Sequence, residues 1–147
     1  MVKPDATMSD TLCYLITRVA KAHRCLLGSM LADYQLHIGQ ENLLMLLWEC
    51  DGRSQSELSD LMEVEPPTVT KMLNRLEKGG LLERQRDPID ARICRIYLTD
   101  AGWALEEPVQ QIWQDLEARL TAHFTVEEQI ILRRLLIQVR RNLDGPT

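Results

Sequence analysis

From Leu12 onward, apolar residues recur at spacings of three and four: Leu12, Leu15, Ile16, Val19, Leu26, Leu27, Met30 and Leu31, with His23 on the same face. That period predicts an amphipathic helix over residues 10–35, for which Ser9 or Asp10 would be the cap. Residues 40–50 carry Leu43, Leu44, Leu46, Leu47 and Trp48 and are apolar nearly all round. They predict a buried second helix that ends at Asp51-Gly52. Ser54-Gln55-Ser56-Glu57 is a capping box: the Ser hydroxyl takes one orphan N–H and the Glu side chain reaches back to another. It opens a short third helix with Leu58, Leu61 and Met62. After the turn Glu63-Val64-Glu65, Pro66-Pro67 begin a fourth helix, where a missing N–H costs nothing. This helix runs to Lys78 and stops at Gly79-Gly80.

Beyond Gly80 the period changes from helical to alternating. Residues 81–86 and 93–98 read as two strands, with Ile96 and Leu98 alternating with Arg95 and Tyr97. Residues 87–92 join them as a long hairpin loop. Thr99 then caps a fifth helix over 100–121, with Val109, Ile112, Trp113, Leu116 and Leu120 on one face and a kink expected at Pro108. A second capping box, Thr125-Val126-Glu127-Glu128, opens a last helix bearing Ile131, Leu132, Leu135, Leu136 and Val139. The predicted order is α-α-α-α-β-β-α-α, a mainly helical chain with one small β-hairpin.

Composition narrows the class. A length of 147 residues fits one domain over 1–147, and 45% hydrophobic with 27% charged residues excludes disordered and collagen-like chains. The longest apolar run, Leu43 to Trp48, is far too short for a membrane span. Residues 1–8 hold no apolar core of a secretory leader, so a cytoplasmic protein away from the membrane is expected. Cys13, Cys25, Cys50 and Cys94 show no C-x-x-C spacing, which predicts free thiols and neither metal nor cofactor. The motifs of nucleophilic, phosphate-binding and zinc enzymes are missing from the chain, so an enzyme is not expected. The formal net charge of −5, taken whole, points away from nucleic acid.

The middle of the chain reverses that last reading. Two helices joined by a short turn and followed by a β-hairpin make a winged helix-turn-helix, whose second helix enters the major groove. In residues 66–78, Val69, Met72, Leu73 and Leu76 form the core stripe. Pro67, Thr68, Thr70, Lys71, Asn74, Arg75 and Lys78 occupy the other face, residue types that contact phosphates and base edges. On that face alone, a solvated amphipathic helix explains the pattern equally well. The hairpin adds Arg84, Arg86, Arg92 and Arg95, and arginine is the residue commonly inserted into a narrow, negative minor groove. Asp90, two residues before Arg92, is placed to hold its guanidinium by a bidentate pair; exposed loop charges of little worth are the plainer alternative. Residues 71–95 carry seven basic against four acidic side chains, a net of +3, and the remainder carries −8.

Three segments resemble the MarR family of transcription regulators: Val64 to Leu82, the wing Arg86-Asp87-Pro88-Ile89-Asp90-Ala91-Arg92, and the exit Tyr97-Leu98-Thr99-Asp100-Ala101-Gly102. The resemblance implies a DNA-binding lobe over 38–99 and a homodimer built by helices within 9–36 and 100–144. Its two recognition helices would lie about 34 Å apart and read a pseudo-palindromic operator in double-stranded DNA. It also implies a repressor whose DNA affinity is tuned by a small ligand bound between the dimerisation helices and the DNA-binding lobe. His23, Leu27, Met45, Trp48 and Trp113 are the candidate walls for a small aromatic or phenolic ligand; each is also an ordinary core residue. Cys13 sits where the hydroperoxide-sensing branch of the family keeps its reactive cysteine; a small inert thiol is the alternative. Three readings stand at this point: a ligand-tuned DNA-binding regulator, a thiol redox switch through Cys13, and a winged-helix protein-interaction module that binds no DNA.

Overall fold

The computed structural model describes residues 7–145. Residues 1–6, most of the segment read for a secretory leader, and residues 146–147 lie outside them. A 3-10 turn over Met8–Asp10 precedes α1 (Leu12–Ala32), α2 (Gln40–Glu49), α3 (Gln55–Met62), α4 (Pro66–Lys78), β1 (Leu82–Arg86), β2 (Cys94–Leu98), α5 (Asp100–Trp103), α6 (Glu106–Leu120) and α7 (Val126–Asp144). The chain falls into two compact units, divided between Ile112 and Trp113. No helix among the described residues is long and apolar enough to cross a membrane.

Two predicted helices are corrected. The first begins at Leu12, and its cap is Thr11, whose hydroxyl accepts from the Tyr14 N–H at 3.2 Å. Asp10 is instead engaged in a reciprocal box with Thr7. The same helix ends at Ala32, three residues early, because Gln35 adopts a left-handed φ of 58° and the Leu36 N–H folds back onto the Leu31 carbonyl. The helix predicted over 100–121 is two helices, α5 and α6, broken at residues 104–105. Pro108 contributes to the break: it has no N–H to give to the Ala104 carbonyl, so a continuous helix would lose a hydrogen bond there. The chain restarts so that Pro108 falls in the first turn of α6, where no donor is needed.

In the first unit, Leu27 and Leu31 of α1 join Leu43, Leu44 and Leu47 of α2, Leu58 of α3 and Val69, Leu73 and Leu76 of α4 in the core. Burying each such side chain is worth about 1.5–3 kcal/mol before entropy is counted. The hairpin closes this core. Its register pairs Leu82 with Leu98, Arg84 with Ile96 and Arg86 with Cys94. Leu82, Ile96 and Leu98 share one pleated face and are buried. In the second unit, α7 opens on the Thr125/Glu128 capping box and buries no residue. Ile130, Ile131, Leu135, Leu136 and Ile137 are all exposed along it.

Candidate nucleic-acid interface

Local chemistry shapes the helix-turn-helix. Ser54 accepts from the Glu57 N–H at 3.1 Å and Glu57 returns to the Ser54 N–H, which holds the Glu57 carboxyl below its ordinary range. The turn after α3 is set by Glu63 in the left-handed region (φ 54°) and by buried Ser59, whose hydroxyl donates to the Val64 carbonyl at 2.9 Å. Pro66 and Pro67 then occupy the first two positions of α4. Between the two helices, the Gln55 amide donates to the Thr70 hydroxyl at 2.6 Å, and that hydroxyl donates to the Pro66 carbonyl. Thr70, expected on the DNA side, is thus half-buried in the joint between α3 and α4. At the far end, Gly80 (φ 75°) lets its own N–H reach Glu77 O and the Leu81 N–H reach Leu76 O, a closed helix terminus.

The predicted basic residues divide into two groups. Lys71, Arg75 and Lys78 on α4 and Arg86 on β1 are exposed and make no ion pair among the described residues. Pro67 and Thr68 are exposed beside them. Arg84 is different. The strand pleat places it on the face shared with Leu82 and Ile96, and its guanidinium bridges Glu77 and Asn74 of α4. The structure therefore uses Arg84 and Asn74 to tie the base of the wing to α4.

The wing is braced by two aspartates. Asp87 accepts from the Arg95 Nε–H and from the backbone N–H groups of Ile89 (2.8 Å) and Asp90 (2.9 Å). The Arg95 guanidinium, followed by the two backbone donors, lowers its carboxyl to about 2. Arg95 also donates to the Gly52 carbonyl at 3.0 Å, anchoring the wing to the chain ahead of α3. Asp90 holds Arg92 by two parallel bonds of 3.0 Å, Nε to Oδ1 and a terminal nitrogen to Oδ2. This pair keeps the Asp90 carboxyl below its ordinary range. The Arg92 side chain remains 91% exposed, so it is fixed in direction and open to solvent. A cleft of about 590 Å³ runs between the first turn of α3, Pro66 and Arg92.

Sequence reasoning assigned no role to Asp87 or to the Gln55–Thr70 contact. Asp87 had a readable signal, since an Asp before a Pro in a loop favours a turn closed by its own carboxylate. The Leu98-Thr99-Asp100-Ala101-Gly102 exit is now explained as well. The Thr99 hydroxyl donates to the Gly80 carbonyl and accepts from the Gly102 N–H. A Cβ at Gly102 would lie 2.1 Å from the Leu81 carbonyl oxygen, so only glycine permits this approach.

The MarR family model matches residues 36–94, the stretch from the α1–α2 turn through the wing. AdcR of Streptococcus pneumoniae serotype 2 (strain D39 / NCTC 7466), a transcriptional regulator, is 30% identical over 125 residues, 83% of this chain and 85% of its own. The chain belongs to the MarR family of winged helix-turn-helix transcription regulators. TtmR of Methylorubrum extorquens (strain PA1) is 34% identical over 100 residues, 68% of this chain, and the match spans about half (51%) of TtmR. A cysteine-to-serine mutant of MarR from E. coli, solved in complex with operator DNA, superposes with a TM-score of 0.80 at 29% identity, covering 91% of this chain and 99% of that one.

The remaining candidates of this MarR-family chain sit as follows. Leu27 is in the core, and His23 and Met45 are half-buried. The Trp48 indole donates to the Gly102 carbonyl at 3.1 Å, which ties α2 to α5. Trp113 belongs to the second unit. An open groove of about 760 Å³ lies instead along α1, lined by Ile16, Ala20, Lys21, Arg24, Cys25 and Ile38 among others. Cys13 is exposed in the first turn of α1, and its thiol makes no hydrogen bond among the described residues.

Proposed function

We propose that this chain is a homodimeric repressor that binds a pseudo-palindromic site in double-stranded DNA and is tuned by a small molecule. The observation that carries the reading is the Asp90–Arg92 pair: an arginine held bidentate yet open to solvent, on a wing braced beside the basic face of α4. Preorganised charge of this kind suits the minor groove, while Lys71, Arg75 and Lys78 suit phosphates and guanine edges of the adjoining major groove. The operator complex of the E. coli MarR mutant supports the same use of the fold. The exposed apolar face of α7 supports a second copy as its cover. The groove on α1 supports the ligand reading, because apolar walls with Lys21 and Arg24 fit a small aromatic anion such as a phenolate. The residues of the reading lobe, 38–99, and those of the dimerisation helices, 9–36 and 100–144, would divide the work.

The test is a titration of a duplex that the protein itself selects from a random-sequence pool, repeated over a range of salt concentrations. Arg92→Ala should weaken binding and flatten the salt dependence by about one phosphate-like contact. Unchanged affinity would remove the wing from the mechanism, and a wild-type protein that enriches no duplex would leave the protein-interaction reading in its place.

A further inference from the structure

The tip of the wing carries a second feature that the arginine chemistry does not use. Ile89 is 96% exposed, the most exposed large apolar side chain among those of the described residues. Single exposed apolar residues are ordinary on protein surfaces, but this one stands on a loop braced from within and from the strand beside it. Its N–H is held by the Asp87 carboxylate, and so is that of Asp90. The loop is closed beneath it by Asp87 N–H to Ile93 O and Ile93 N–H to Asp90 O, both 2.9 Å. Pro88, with its fixed φ, precedes it. The backbone under Ile89 is therefore already ordered, and little entropy is lost when the side chain is buried by a partner. Three residues further on stands Arg92, also fixed and also open.

We infer that Ile89 is an apolar wedge that enters the minor groove beside Arg92 and reads how easily the duplex opens there. This rests on the reading of the wing as a DNA contact. The chemistry is complementary: a guanidinium answers the negative potential of the groove, and an aliphatic side chain answers the sugar walls and the faces of partly unstacked bases. Isoleucine is among the side chains that minor-groove proteins insert between base steps, and pyrimidine–purine steps yield most readily. Specificity would then arise at positions the wing never hydrogen-bonds.

The experiment uses the full chain and the selected duplex described above, with Ile89→Ser, Ile89→Leu and Arg92→Ala compared by anisotropy over a salt series. Ile89→Ser should weaken binding about tenfold at every salt concentration, equivalent to ~1.4 kcal/mol, with the slope against salt unchanged because no ion is displaced. Ile89→Leu should retain affinity. Wild-type binding should brighten 2-aminopurine placed at the step under the wing, and Ile89→Ser should not. Equal affinity for wild type and Ile89→Ser, or a loss confined to low salt, overturns the wedge. Failure of the underlying reading is distinct: Arg92→Ala then binds the duplex as the wild type does, or the wild type enriches no duplex at all.

Discussion

Helices α4 and α7 are both amphipathic, yet only one is finished by its own chain. Val69, Leu73 and Leu76 of α4 are buried by neighbours in the first unit; Glu77 and Asn74 beside them hold Arg84 of the wing, while Lys71, Arg75 and Lys78 stand open. Helix α7 has no fully buried residue, and Ile130, Ile131, Leu135, Leu136, Ile137 and Leu143 stand open. The contrast separates two kinds of surface. A charged face such as that of α4 can stand in water at no cost. A long apolar face stands there at a cost, which is why a second copy is the proposed cover.

That comparison can be broken or sharpened by experiment. The largest effect is expected at the finished helix: Leu73→Ala empties a fully buried position and should cost about 2–5 kcal/mol in urea unfolding. Little loss would mean that the core around α4 collapses to fill the gap. Next is the open helix. Leu135→Asp should leave the folding of the first unit untouched but convert a dimer to a monomer by light scattering. A wild-type chain already monomeric at micromolar concentration would show that α7 needs no second copy. Third, Ser54→Ala removes the cap that starts the helix-turn-helix and should cost ~1 kcal/mol, read as a shift in the unfolding midpoint. The smallest effect is acid sensitivity of the wing. Asp87 is held at about 2 against an ordinary 3.8, so folding binds fewer protons than unfolding between those values. Its contribution is complete above about pH 4 and drains away as pH falls through 2. Asp87→Asn should abolish that part of the acid slope, and an unaltered slope would deny the brace its role.

Much of the molecule was legible beforehand because its signals are local. Capping boxes at Ser54 and Thr125, the Pro66-Pro67 start and the Gly79-Gly80 stop are each read from a few adjacent residues, and each holds in the structure. The bidentate Asp90–Arg92 pair was legible for the same reason, two residues apart in one loop. The break before α6 was misjudged as a kink because proline tolerates either outcome, and packing of α5 on Leu81 chooses between them. Contacts between distant segments are illegible for a related reason. Trp48 reads equally as a pocket wall or a core residue, and nothing near it in sequence shows that its indole donates to a carbonyl 54 residues away.

By itself the sequence determined most of the elements and their order, the apolar stripe of each long helix and the basic character of the segment from Lys71 to Arg95. Those follow from periodicity, capping and charge count, which need no knowledge of what lies across the fold. The tertiary structure decided which arginines are available. Arg84 is spent on α4 because a strand pleat turns it inward; Arg95 is spent on Asp87 and Gly52 because the hairpin packs against the chain ahead of α3. Arg92 alone of the three is both oriented and open. Four arginines in one hairpin look alike as letters, and only contacts between segments distant along the chain tell the bracing pair, Arg84 and Arg95, from the open pair, Arg86 and Arg92.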